Sequence, residues 1–399
     1  MPIQLKALRA LPATQKSLLL MTIAMTLAFQ VWSALLNNFA VEQAGFTGRE
    51  IGILHSLREI PGFLAFAVVL LLVFIREKTL ALTSLALLGI ATAATGYFPS
   101  ILGLYVLTVL SSIGFHYYET VNQSLTLQWI DQSQTSQFLG LQIGIASAAA
   151  IVAYTFTIVA DSLLGFTFSS IYFIAGLACL GFAWLAKQHM PQNDNTAEQH
   201  THLFLRKRYW LYYVMVFLSG ARRQIFTVFA GFLMVEKFGY SASAIAGLFL
   251  INCVVNVFFA PAIGRLVAKI GERRALIIEY IGLIIVFISY GLVESSTLAA
   301  GLYVIDHLLF AMAIALKSYF KKIADPRDMA GTASVSFTIN HIAAVVLPAA
   351  LGLLWLSAPS MVFYVGALIA ACSLLASLWI PRHPHAGHEV SFSLLKPAS

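Results

Sequence analysis

The chain has 399 residues, 59% of them hydrophobic and only 10% charged, with a formal net charge of +7 and a mean hydropathy of +0.84. Soluble domains carry roughly a quarter charged residues, so this composition excludes a water-facing globular surface and points to a membrane. The three cysteines, Cys179, Cys253 and Cys372, fall inside apolar runs, with neither the number nor the spacing of a disulfide framework or a zinc site.

In chain order, a basic stretch from Met1 to Lys16 precedes the first apolar run. That run is longer than the apolar core of a signal peptide and lacks its cleavage site, so Leu18 to Ala40 is expected to be a retained first transmembrane helix. Segments of roughly 20 apolar residues, enough to cross the hydrocarbon core, then follow. They lie at 51–75, 79–97, 101–128, 137–160 and 167–186 in the first half. The second half gives 210–235, 243–268, 274–293, 296–320, 330–356 and 360–380. The expectation is an all-α membrane protein of 12 transmembrane helices in two pseudo-symmetric six-helix bundles. Its parts are an N-terminal bundle over 1–186, a polar linker over 187–208, a C-terminal bundle over 209–380 and a tail over 381–399.

The halves are related. Val41-Glu42-Gln43-Ala44-Gly45-Phe46-Thr47 returns 194 residues later as Val235-Glu236-Lys237-Phe238-Gly239-Tyr240-Ser241. The same offset pairs Gln30 with Gln224, Ile51 with Ile245 and Leu54 with Leu248. Duplicated membrane bundles work by rocking one repeat against the other around a central site, which makes transport the first functional expectation.

The basic residues set the orientation. Eighteen lie in alternate loops, in clusters at Lys6 to Lys16, Arg76 to Lys78, Lys187 to Arg208, Arg265 to Arg274, Lys321 to Arg327 and Arg382 to Lys396; only Arg49 and Lys237 lie in loops on the other face. By the positive-inside rule both termini are cytoplasmic. The charge is then topology, and no nucleic-acid partner is expected.

At 264–274 stands Gly264-Arg265-Leu266-Val267-Ala268-Lys269-Ile270-Gly271-Glu272-Arg273-Arg274. This is similar to the short cytoplasmic loop of the major facilitator superfamily, and the 6+6 layout resembles that family over essentially the whole chain. Gly264 and Gly271 allow a tight turn, while Lys269, Arg273 and Arg274 hold the loop at the headgroups; with His55, Arg58 and Glu59 on helix 2 they are the expected gate residues. Ala268 stands where the family's gate-locking aspartate belongs, so that lock does not carry over. Helix 5 lacks the glycine-proline pattern and helix 4 lacks the arginine of the drug/proton antiporters, which makes a drug efflux pump an alternative reading only.

Ionisable groups at mid-membrane depth are expensive and mark sites. Polar and ionisable groups at that depth collect on helices 1, 4, 7 and 10, the ones that the resemblance implies line a central cavity. Arg222 and Arg223 are adjacent and point about 100° apart. One is free to bind an anion in a bidentate fork while the other packs against a carboxylate, with Asp306 or Glu119 as the expected partner. Gln30, Gln224, Tyr117, Asn340 and His341 complete the expected substrate site. Glu119 and Asp306, tuned by His116 and His307, are the expected proton carriers. The His and acid set also offers ligands to a transition metal, but Arg58, Arg222 and Arg223 would repel it; metal or metal-chelate transport stays an alternative, as does a non-transporting receptor or scaffold.

No nucleophile–base set can be assembled, so no enzyme activity, resident metal or cofactor is expected. The expectation is a monomeric multi-pass protein of the bacterial inner membrane. Its partners are the lipid bilayer, a small organic anion or zwitterion, and a coupling proton.

Overall fold

Backbone polar groups in hydrocarbon must be satisfied within their own segment or a closed barrel, and this chain solves the problem with helices. The computed structural model describes residues 11–64, 67–72, 74–130, 132–191, 206–325 and 329–391. Lys6, Arg9, Arg327 and Lys396, and 192–205 of the expected linker, lie outside the described residues.

In order, the helices are α1 (Ala13–Ala44), α2 (Gly48–Phe63), α3 (Ala67–Leu72), α4 (Glu77–Thr95), α5 (Ile101–Trp129), α6 (Gln132–Ile158) and α7 (Phe168–Gln188). The second half continues with α8 (Trp210–Gln224), α9 (Gly231–Glu236), α10 (Ala242–Ile270), α11 (Glu272–Leu292), α12 (Ser296–Phe310), α13 (Ile314–Ile323), α14 (Met329–Trp355) and α15 (Pro359–Ser377). A π-helical segment, Ile225–Ala230, joins α8 to α9, and a 3-10 turn, Ala311–Ala313, joins α12 to α13. Among the described residues, nine helices are long and apolar enough to cross a membrane.

The chain divides into two compact units. Unit 1 holds the described residues of Met1–Phe46, Leu57–Gln199 and Tyr240–Leu250; unit 2 holds those of Thr47–Ser56, His200–Gly239 and Ile251–Ser399. Two short segments belong to the unit that is otherwise built from the other half of the chain. Thr47–Ser56 and Tyr240–Leu250 are themselves repeat equivalents, so even this exchange obeys the duplication.

The repeated phrase has a local cause. Gly45 ends α1 in the left-handed region at φ 64°, its N–H capping the Ala40 carbonyl. Gly239, its repeat partner, has the same φ of 64° and donates to the Val235 carbonyl. Only glycine enters that region without penalty, which makes it the natural helix stop.

In unit 1, α4 packs on α5 and α7, and α1 on α6 and α7. Leu18, Ala24, Ala28, Leu85, Leu88, Tyr118 and Cys179 form the middle of its core. Backbones meet closely where small residues permit it: a Cβ on Gly176 would lie 2.4 Å from the Gly89 carbonyl oxygen. In unit 2, α11 packs on α15 and α8 on α14. A Cβ on Gly220 would lie 2.8 Å from the Asn340 carbonyl oxygen.

Candidate functional site

Unit 2 carries its charge at the end of α8. Arg222 is fully buried, although an unpaired buried guanidinium would be strongly disfavoured. Its Nη1 donates to Glu279 Oε1 on α11 at 3.3 Å, and its guanidinium carbon lies 4.5 Å from the Tyr280 ring centroid and 5.8 Å from that of Phe310. Asp306 on α12 is also fully buried and feels the Arg222 charge, but neither of its oxygens has a hydrogen-bond partner among the described residues. Glu279, rather than Asp306 or Glu119, is therefore the carboxylate that pairs with Arg222.

One residue further, Arg223 points elsewhere. It is exposed on unit 2, and its Nη2 donates to Asn340 Oδ1 on α14 at 2.8 Å. The close crossing at Gly220, less than one turn earlier, sets α8 against α14 and brings the two side chains within reach. The π segment begins immediately after Gln224, and such irregular turns often mark functional positions. Gln224 is buried, with Oε1 unbonded among the described residues.

Unit 1 has a different interior. A cavity of ≈ 50 Å³ is lined by Phe29, Trp32, Arg58, Glu59, Thr108, Ser111, Ser112, Phe115 and His116, room for a few waters rather than a whole organic substrate. On its wall Arg58 forks Nε and Nη2 onto Glu59 Oε1 at 3.1 and 2.6 Å, while Ser112 donates its hydroxyl to the Arg58 carbonyl. Phe29 and Phe115 stack at 4.4 Å.

Gln30 accepts from the Tyr154 hydroxyl at 2.6 Å in unit 1, and Tyr117 packs against the unit 1 core. Glu119 is exposed on α5, whereas His116, three residues earlier, is buried. His307 is half-buried and pairs with Asn256 on α10 at 2.8 Å rather than joining Asp306. His341 is buried, its Nδ1 2.8 Å from the Phe337 carbonyl oxygen. His55 is buried on the unit 2 part of α2. Gly264 and Lys269 end α10, Gly271 makes the turn at φ 84°, and Arg273 and Arg274 open α11.

Sequence reasoning missed Glu279. It is a lone acid in the apolar run from Ala275 to Leu283, a usable signal, and it lies two turns inside α11. Also missed was a matched pair of clamps. In unit 1, Glu77, the first residue of α4, accepts from Ser124 and Gln128 on α5 at 2.8 Å each. In unit 2, Glu272, the first residue of α11, accepts from Ser318 at 2.8 Å and pairs with Lys322 on α13 at 2.6 Å. Ser124 and Ser318 keep the 194-residue offset, as do Gln128 and Lys322; the two glutamates are 195 apart. That one-residue slip hides the pair from a fixed-register comparison.

Apolar spans, a duplicated helical frame and ionisable side chains held inside it define an integral, multi-pass membrane protein with a transporter's architecture. The particular family follows from sequence: the model of the Major Facilitator Superfamily matches residues 18–348, and the chain belongs to that family. No curated protein matches the chain by sequence. Among solved structures, the nucleoside transporter NupG superposes with a TM-score of 0.72 at 14% identity, covering 92% of this chain and 98% of that one. A bacterial homologue of the iron transporter ferroportin gives 0.72 at 14%, covering 92% and 98%. A POT family transporter in complex with 5-aminolevulinic acid gives 0.71 at 12%, covering 93% and 97%. At these identities the likeness speaks for the fold alone.

Proposed function

We propose that this chain is a proton-coupled secondary transporter of a small organic anion or zwitterion, working by alternating access. The observation that carries the reading is the division of labour between adjacent arginines. Arg222 is spent inside unit 2 on Glu279, whereas Arg223 is exposed and is held by a hydrogen bond to the Asn340 amide. An exposed guanidinium positioned by a side-chain hydrogen bond is suited to a carboxylate or phosphate group. The loop charges support a topology of twelve spans with both termini cytoplasmic, as in a bacterial inner-membrane protein, and the monomer is taken as the working unit.

The test is counterflow in proteoliposomes across a panel of organic anions and zwitterions, comparing the native chain with R223A, R223K and N340A. R223A is expected to reduce transport at least about tenfold, the loss of one strong charge-assisted contact, with R223K intermediate and the melting temperature unchanged. Full transport by R223A would refute the anion site. Coupling is read from uptake driven by an imposed pH gradient, and a response to sodium alone would refute it.

A further inference from the structure

Three ionisable side chains from three helices are fully buried in unit 2: Arg222 on α8, Glu279 on α11 and Asp306 on α12. Arg222 pairs with Glu279 at 3.3 Å, and its guanidinium carbon lies 5.8 Å from the ring of Phe310, one turn after Asp306, so that its charge acts on both carboxyls. With both acids ionised the group carries a net buried negative charge, which is strongly unfavourable, and one proton on either acid cancels it.

The bonding pattern fits a shared arrangement. The Arg222–Glu279 contact is long at 3.3 Å, and Arg222 Nε, Glu279 Oε2 and both Asp306 oxygens have no hydrogen-bond partner among the described residues. Donor and acceptor capacity therefore remains on all three members. Among the described residues, the other titratable groups near the cluster include the buried phenols Tyr280 and Tyr290 from α11 and Tyr303 from α12, and His307 beside Asp306. From α15, Phe363 stacks on Tyr290 at 5.0 Å and brings no charge. From α10, Asn256 holds His307, the residue after Asp306. The winding is irregular beside two of the three members, with the π segment after Gln224 and the 3-10 turn after Phe310, so small rotations there need not break a continuous helix.

We infer that Glu279, Arg222 and Asp306 form a single proton-carrying element, with Arg222 neutralising one carboxylate at a time and the other holding a proton. Glu279 is then a coupling residue alongside Asp306, a role that rests on the proton-coupled reading above. When Arg222 turns from Glu279 toward Asp306, the Asp306 O–H bond breaks and an O–H bond forms on Glu279. Charge is conserved, and the proton has moved from α12 to α11.

The test is infrared difference spectroscopy of the full chain in liposomes, following the stretch of protonated carboxyl groups for the native protein, E279Q and D306N. The native band is expected to be lost in both variants, because the acid that remains has Arg222 to itself. R222Q is expected to double the band, since both acids then need protons. Absence of the band in the native protein overturns the inference, as does its survival in either acid variant. E279Q alone is decisive should D306N not fold, because a proton fixed on Asp306 survives it. Transport is scored separately. A band that behaves as expected with transport indifferent to pH gradients refutes the coupling and keeps the shared proton. Coupled transport with a band that resists E279Q refutes the triad and keeps the coupling.

Discussion

The interiors of units 1 and 2 are built from corresponding positions and filled with opposite chemistry. Phe29, Ser112 and His116 line the unit 1 cavity; 194 residues later their equivalents are Arg223, Asp306 and Phe310. Arg58 and Glu59 give way to Asn252 and Cys253, while Ala28, packed in the unit 1 core, gives way to Arg222. In unit 1 the ion pair lies between neighbours on one helix and is partly open, with Arg58 14% and Glu59 5% exposed. In unit 2 the ion pair joins two helices and is closed, at 1% and 0%. Duplication preserved the helix stops and the clamps at the helix starts, which any helical bundle needs. It did not preserve the charges inside, where each half has specialised.

The largest expected effect comes from removing one arginine in each unit. R222L would strand Glu279 beside Asp306 and is expected to cost about 3–5 kcal/mol, the usual penalty for leaving a buried charge unpaired. R58L would leave Glu59 beside a cavity with room for a few waters and is expected to cost about 1.5–3 kcal/mol. Melting temperature and folded yield in detergent report both. Equal losses would mean that the two ion pairs are equally dry.

Next come the backbone crossings. G220A places a methyl group 2.8 Å from the Asn340 carbonyl oxygen and is expected to cost about 1–3 kcal/mol through overpacking, with lower anion transport as Arg223 loses its support. In unit 1, Gly181 on α7 has nothing within 4 Å of an added Cβ, so G181A is expected to stay within about 0.5 kcal/mol of the native chain.

A smaller difference lies at the exchanged segments. Glu50 in unit 2 accepts from the Thr47 N–H at 3.0 Å and from the Thr47 hydroxyl, and pairs with Arg49 at 2.7 Å. This is a capping box at the start of α2. Burial pushes the Glu50 carboxyl up, but the hydrogen bonds from Thr47 and Arg49 outweigh it and hold the group at about 2 against an ordinary 4.5. Its repeat partner in unit 1 is Ala244, whose N–H is capped by Ser241 Oγ alone at 3.2 Å. The Glu50 contribution is therefore complete above about pH 4.5 and lost as pH falls toward about 2, following proton linkage. E50Q is expected to flatten melting temperature against pH in that window and to cost about 1 kcal/mol at neutral pH, the worth of a helix cap.

The smallest effect belongs to Lys237 and Glu294, which pair at 3.0 Å with 39% and 83% exposure. K237A is expected to change stability by less than about 1 kcal/mol, and less still at high salt; a larger loss would assign the weight to the Lys237 bond with the Val293 carbonyl.

Much of the fold was legible because its signals are local. Apolar run length marked the helical segments, and the repeated phrase carried the glycines at 45 and 239 that the structure shows closing helices, since each depends on residues adjacent in the chain. The candidate site was legible only in part. Arg222, Arg223 and Asp306 stood out as charges in apolar helices, and Asn340 as a polar group at matching depth. Glu279 is one acid in an apolar run, and its pairing with Arg222, 57 residues away, is set only by how α8 and α11 pack. The one-residue slip between Glu77 and Glu272 was invisible at a fixed offset. His116 and Glu119, three residues apart, looked like one working pair, yet α5 buries the first and exposes the second.

By itself, the sequence determined that this is a duplicated helical membrane protein of the major facilitator family, because hydropathy and repetition are properties of the chain read in one dimension. Only the tertiary structure decided that Arg222 pairs with Glu279, that Arg223 stays exposed beside Asn340 and that Asp306 is buried within reach of the Arg222 charge. The reason is angular. Successive helical residues point about 100° apart, so the partner of a buried charge depends on how each helix is rotated against its neighbours, which glycine crossings such as Gly220 on Asn340 set by packing.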